Sequence, residues 1–135
     1  MTLDQMRDLF VEPATDNAAR ARMFALFDQW VHRLRQLNIT ATAWIDGSFV
    51  TRKPEPSDLD CVLWLPPGMP PVPEQGKIEA LTLTDRGAAS TMYGIDLYIE
   101  LPTPDNRLHR EAYWRGMLGF QHDRHSAKGF VELTI

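Results

Sequence analysis

The sequence holds a single cysteine, Cys61, in 135 residues. That excludes an internal disulfide, and its apolar neighbours predict a buried thiol. Long apolar runs are missing too: no stretch approaches the roughly 20 residues that cross a bilayer. The opening "MTLDQMRDLF" has no basic segment leading into an apolar one. A soluble protein in a reducing, cytoplasmic setting is expected, with no membrane partner. Positive charge is scarce, with 14 Lys and Arg against 18 Asp and Glu, a net charge of −4. General binding to nucleic acid rests on Lys and Arg meeting phosphates, so a long DNA or RNA partner is not expected. A small nucleotide stays open, because a metal ion can neutralise its charge.

What is present reads as an ordinary folded chain, long enough for one sizeable core, and residues 1–135 are expected to form a single domain. No internal repeat is visible. The first dozen residues suit a short helix or a loose arm. From Asp16 to Asn38, Met23, Phe24, Phe27, Trp30, Val31, Leu34 and Leu37 follow one face of a helix. Arg20, Arg22, Asp28 and Arg33 fall largely off that face. Asp16 is a candidate N-cap and Asn38 a candidate stop. Thr40 to Ile45 has strand composition, Val50 to Ser57 is a loop, and "DLDCVLWL", Asp58 to Leu65, is a strand.

The segment from Lys77 to Ser90 is ambiguous, since "KIEAL" favours helix and "TLT" favours strand. Before it, "PPGMPPVPEQG" reads as a surface connection. "YGIDLYIEL", Tyr93 to Leu101, alternates cleanly as a strand. A helix then starts after a capping Asp105, with Leu108, Ala112, Tyr113 and Met117 predicted inward, and "KGFVELTI" closes the chain as a short strand. The predicted class is α/β or α+β: a small mixed sheet with helices on one face.

Strand alternation carries the functional argument. One face of the strand at Asp58 to Leu65 shows Leu59, Cys61, Leu63 and Leu65; the other shows Asp58, Asp60, Val62 and Trp64. Around Asp96, one face shows Ile95, Leu97, Ile99 and Leu101; the other shows Asp96, Tyr98 and Glu100. If the two strands are neighbours, Asp58, Asp60 and Asp96 converge. Three carboxylates together repel and couple their titrations unless a cation sits among them. An all-oxygen set suits Mg²⁺ or Mn²⁺, and two such ions can hold a triphosphate and acidify an attacking hydroxyl. Gly47 and Ser48, at the end of the preceding strand, suit a phosphate site: glycine allows close backbone approach, and the hydroxyl and N–H groups donate.

These residues form a pattern. "GSFVTRKPEPSDLD" resembles the Gly-Ser … Asp-x-Asp signature of the nucleotidyltransferase superfamily with the DNA-polymerase-beta-like palm, with nine residues between Ser48 and Asp58. "GIDLYI" matches the third acid at Asp96. The resemblance covers roughly Trp44 to Leu101, and is to the minimal members, which include toxin–antitoxin nucleotidyltransferases. Pro54 and Pro56 leave little room for the helix that often follows Gly-Ser in that family. The resemblance implies metal-dependent transfer of a nucleoside monophosphate from an NTP to an acceptor hydroxyl. Asp58 and Asp60 would bind both metals, Asp96 the catalytic metal, and Gly47 and Ser48 the triphosphate. Little mass remains for an acceptor domain, so a partner protein, toxin-like, is the expected acceptor. The alternative is an inactive palm acting as a partner-binding antitoxin or a nucleotide-binding module.

Simpler readings stand beside these. Asp58 and Asp60 can be solvated acids at a strand start, with Asp58 making a turn contact. Asp46-Gly47 is a good turn dipeptide, and a domain with incidental acids would need no chemistry at all. Glu100 is an alternative third acid, but is expected at an exposed strand end. Arg52 and Lys53 suit a solvated loop, and His122, Arg124, His125 and Lys128 a polar turn. Trp30 and Trp64 are expected in the core, and Tyr98 either there or bordering a base.

Overall fold

The computed structural model describes residues 1–13, 18–51, 56–68, 71–118 and 129–135. Helix α1 (Leu3–Phe10) starts from a capping box in which the Thr2 side chain and Gln5 serve each other's backbone N–H, and it buries Leu3 and Met6. Helix α2 (Ala18–Gln36) buries Phe24, Phe27, Trp30, Val31 and Leu34, the stripe that the 3.6-residue period predicts. Asn38 takes a left-handed φ of 60° and ends it. The expected N-cap, Asp16, lies outside the described residues.

Four strands form one sheet: β1 (Thr42–Asp46), β2 (Asp60–Trp64), β3 (Asp96–Glu100) and β4 (Val131–Thr134), in the order β3-β2-β1-β4. Strand β1 runs antiparallel to β2 and β4, while β2 and β3 are parallel. A parallel pair needs a crossover, and the ambiguous segment supplies it as α3 (Lys77–Leu83) and α4 (Arg86–Tyr93). The threonines that argued for strand are accommodated by hydroxyl bonds to the preceding turn, Thr82 to the Ile78 carbonyl and Thr84 to that of Ala80. Asp85 then caps α4 by accepting from Ala88 N–H at 2.8 Å, and Gly94 closes it in the left-handed region.

The fold is α+β with a mixed, open sheet. One sheet face, with Ala43, Ile45, Cys61, Leu63, Leu97 and Leu133, joins α1 to α4 in the main core. Trp30 lies within it, its indole donating to the Leu83 carbonyl at 2.9 Å. Burial, reinforced by the Asp60 charge, pushes the Cys61 thiol far up, so it stays protonated and inert.

Helices α1 to α4 thus occupy the expected face, but α5 (Arg107–Leu118) lies across the other one. There Trp44, Val62 and Trp64 pack against Trp114 and Leu118, with Tyr98 and Phe130 at the margin. The predicted inward set of α5 is therefore corrected. Leu108 is 80% exposed, and Ala112, Tyr113 and Met117 are exposed as well. The phase is set by a polar anchor: Arg110 and the Trp114 indole (2.8 Å) both donate to Glu100 Oε1 on β3. Among the described residues, no helix is long and apolar enough to cross a membrane.

Candidate active site

The register of the sheet builds the site. Asp46 faces Asp60 across the β1–β2 pair, and Asp60 faces Asp96 across β2–β3. Cross-strand partners share a face and stand about 4.8 Å apart in the backbone. Three carboxylates therefore form a row at one end of the sheet, on the face opposite the main core. Asp58 precedes β2; Leu59, beside it, is buried in the main core, so the acids flanking it are directed the other way. The Leu59 carbonyl also accepts from Asp96 N–H at 3.0 Å, tying the two strand starts together.

The Gly47-Ser48 turn is fitted to Asp58. Gly47 has φ 91° and ψ −178°, and a Cβ there would lie 2.8 Å from the Asp58 carbonyl oxygen. Only glycine takes this conformation and this approach. Ser48 begins a single 3-10 turn, Ser48–Val50. Its backbone N–H donates to Asp58 Oδ1 at 2.9 Å, and its hydroxyl donates to the same oxygen. That hydroxyl accepts from the backbone N–H groups of Ser57 (2.8 Å) and Asp58 (3.1 Å). The turn-contact reading of Asp58 is thus part of the structure, and the phosphate-site reading of Ser48 has to share the same hydroxyl.

Arg20 holds the turn from behind. It is 3% exposed and donates to the carbonyls of Phe49 (2.6 Å), Thr51 (2.7 Å) and Phe10 (3.2 Å). Burial lowers its pKa from the ordinary value, and the three carbonyls supply the acceptors that its buried charge requires.

Asp96 has its own partners. Arg86, first residue of α4, reaches Asp96 Oδ1 with Nη2 at 3.0 Å and Nε at 3.3 Å. The Tyr98 hydroxyl donates to Oδ2 at 3.3 Å and accepts from Arg86 Nη2 at 2.9 Å. The guanidinium lies over the Tyr98 ring, 4.4 Å from its centroid. The bond to Asp96 is the main cause raising the Arg86 pKa; burial, then the Asp96 charge, raises that of the Tyr98 phenol. Tyr98 both fills core against Trp114, with ring centroids 5.1 Å apart, and borders the acids.

Glu100 is not the exposed strand end that was expected. It is half-buried, and the hydrogen bond from Arg110 is the main cause holding its carboxyl below the ordinary range. It anchors α5 and faces Trp64, at the far end of the sheet from the acid row. A cleft of about 220 Å³ also lies at that far end, lined by Thr42, Trp64, Arg107 and Thr134 among others.

Across residues 1–134 the sequence matches the model of a family of unknown function, DUF6932. The chain belongs to that family. No curated protein and no solved structure matches it.

The donor set at the acid end is all oxygen, which fits Mg²⁺ or Mn²⁺ in kind. As they stand, no three acid, imidazole or thiol groups among the described residues are drawn together tightly enough to hold an ion. Ser48 engages Asp58, and Arg86 with Tyr98 engages Asp96. Arg52, Lys53, His122, Arg124, His125 and Lys128 lie outside the described residues.

Sequence reasoning missed Asp46, Arg20 and Arg86. Asp46, 4% exposed, was read as half of a turn dipeptide; continuing the alternation from Ala43 and Ile45 puts it on the acid face with Trp44. The expectation that Arg20 falls off the apolar face is corrected: it stands four residues before Phe24 and seven before Phe27, in phase with the stripe, and is buried with it; its charge hid a position that the period already marked. Arg86 falls in the segment whose secondary structure was ambiguous.

Proposed function

We propose that the chain is a single-domain, palm-type nucleotidyltransferase. It transfers a nucleoside monophosphate from an NTP to an acceptor hydroxyl, and pyrophosphate leaves. The observation that carries the reading is the pairing of Asp60 with Asp96 in the β2–β3 register, at the same end of the sheet as Gly47, Ser48 and Asp58. Mg²⁺ or Mn²⁺, held by Asp58, Asp60 and Asp96, would supply charge neutralisation at the triphosphate and acidify the acceptor hydroxyl. Gly47 gives the phosphates a close backbone approach, and Ser48 contributes a hydroxyl and an N–H donor. Arg20 keeps that turn in place. Asp96 orients the acceptor hydroxyl and accepts its proton. A protein acceptor in a toxin–antitoxin pair suits a net charge of −4 better than a long nucleic acid does.

A second reading has its own support. The outer side of α5 exposes Leu108, Tyr113 and Met117, and Leu101 is exposed just before it. Such a side suits a partner-binding antitoxin or a nucleotide-binding module without transfer.

Calorimetric titration tests the first reading. Each NTP is titrated with and without Mg²⁺, against wild type and an Asp58→Asn/Asp60→Asn variant. One NTP is expected to bind more tightly with Mg²⁺, and the variant to lose that dependence while staying folded. No binding of any NTP under either condition removes the transfer reading. Labelled NTP with the product of the adjacent reading frame then separates enzyme from binder. Transfer expects covalent label that Asp96→Asn abolishes while any complex persists; binding alone expects a complex and no label.

A further inference from the structure

All four tryptophans are buried, and three have an acceptor for the indole N–H. Trp30 donates to the Leu83 carbonyl, Trp44 to Glu132 at 3.0 Å and Trp114 to Glu100. Trp64, 3% exposed, has no acceptor among the described residues. A buried indole N–H ordinarily finds a partner. Trp64 forms part of the wall of the cleft of about 220 Å³ at the end of the sheet away from the acid row. The register sets Trp64, Thr42 and Thr134 side by side on one sheet face there, and Arg107, the first residue of α5, lines the same cleft. Glu111 engages Arg107 Nε at 3.0 Å; its two Nη groups have no hydrogen-bond partner among the described residues.

We propose that this cleft binds a carboxylate carried on a small aliphatic body. Its polar side chains can all donate: the Trp64 indole, the Arg107 guanidinium and the Thr42 and Thr134 hydroxyls. No acidic side chain lines it. A guanidinium fork matches the plane of a carboxylate. With one cation in the lining, a monoanion is matched in charge and a phosphate dianion is not. Leu65, Pro66 and Ile135 line the rest and suit an aliphatic group. The volume falls below the roughly 300 Å³ at which common ligand pockets begin. The occupant is therefore short: a free acid or the terminal residue of a peptide, which share this chemistry. The Trp64 N–H is itself shielded from solvent, so meeting the ligand requires the ring to turn toward the cleft. The site is remote from the acid row and does not rest on the transfer reading.

The test is an NMR titration of the isotope-labelled protein that follows the indole N–H signals of the four tryptophans, with that of Trp64 assigned through its own side-chain correlations. The probes are sodium isovalerate, acetyl-alanyl-leucine with a free and with an amidated terminus, and inorganic phosphate. Isovalerate or the free-terminus peptide is expected to move the Trp64 signal downfield in a saturable way while that of Trp30, bonded within the main core, stays in place. Arg107→Gln should weaken this binding about ten-fold, the loss of one charged hydrogen bond. Arg115→Gln removes a cation of the same helix that lies over Trp44 and should leave binding unchanged. Both variants are checked for folding by their melting curves. Tighter binding of the peptide assigns the site to a chain terminus, and tighter binding of isovalerate to a free acid. A Trp64 signal that neither acid moves overturns the proposal. So does binding of the amidated peptide or of phosphate as tight as that of the carboxylates, or an Arg107→Gln variant that binds like wild type.

Discussion

Gly47→Ala isolates the demand that the turn makes on its backbone. At φ 91° and ψ −178°, Gly47 sits in a region essentially reserved for glycine. Forcing an L residue there costs about 1–3 kcal/mol. The new Cβ would also lie 2.8 Å from the Asp58 carbonyl oxygen and 3.1 Å from Asp58 Oδ2. The nearest of these is a backbone atom, which cannot rotate away. That carbonyl accepts from Phe49 N–H at 3.1 Å, and the carboxylate accepts from Ser48 N–H at 2.9 Å. Moving Asp58 therefore weakens one or two hydrogen bonds, each worth about 0.5–1.5 kcal/mol. The expected loss is about 2–4 kcal/mol. Gly94→Ala is the control: its φ of 66° also disfavours L residues, but nothing lies within 4 Å of a Cβ there, so about 1–2 kcal/mol is expected. Urea unfolding of the three proteins, analysed by linear extrapolation, reads the difference. A Gly47→Ala loss no larger than that of Gly94→Ala would refute the close-approach argument.

Two further outcomes bear on what surrounds the site. Because Arg110 holds the Glu100 carboxyl below its ordinary value of 4.5, the pair stabilises the fold at pH above that value and loses its contribution as pH falls through the lower folded value. Glu100→Gln should cost about 1–3 kcal/mol at pH 7, and the cost should shrink as pH is lowered below 4.5; a gap in urea unfolding that stays the same down to the acid limit of the fold would count against the ionic anchor of α5. Arg20→Met leaves the Phe49, Thr51 and Phe10 carbonyls without this donor and should cost about 2–4 kcal/mol. It should also speed amide exchange in the turn at Ser48 to Thr51; a loss under about 0.5 kcal/mol, the range of ordinary surface changes, would mean Arg20 is dispensable to the turn.

The sequence by itself determined what is periodic or locally punctuated. Alternation in β2 and β3 assigned Asp60 and Asp96 to the face opposite Cys61 and Leu97, because a strand's two faces are written into every second residue. The stripe from Phe24 to Leu34 defined α2 for the same kind of reason, and Asp46-Gly47-Ser48 marked where β1 stops. Tertiary structure alone decided which strands are neighbours and in what register, which is what brings Asp46 into the row with Asp60 and Asp96. It also decided the roll of α5, where Glu100 at the end of the preceding strand, β3, selects Trp114 and Leu118 over the more apolar-looking Leu108 and Met117. The carbonyls brought to Arg20 and the placement of Arg86 on Asp96 belong to the same class. Arg20, Arg86 and Trp114 each depend on a partner 10 to 31 residues away. A local period records only which side of an element is apolar; it holds no term for the carbonyl or carboxylate that the rest of the chain brings to the other side.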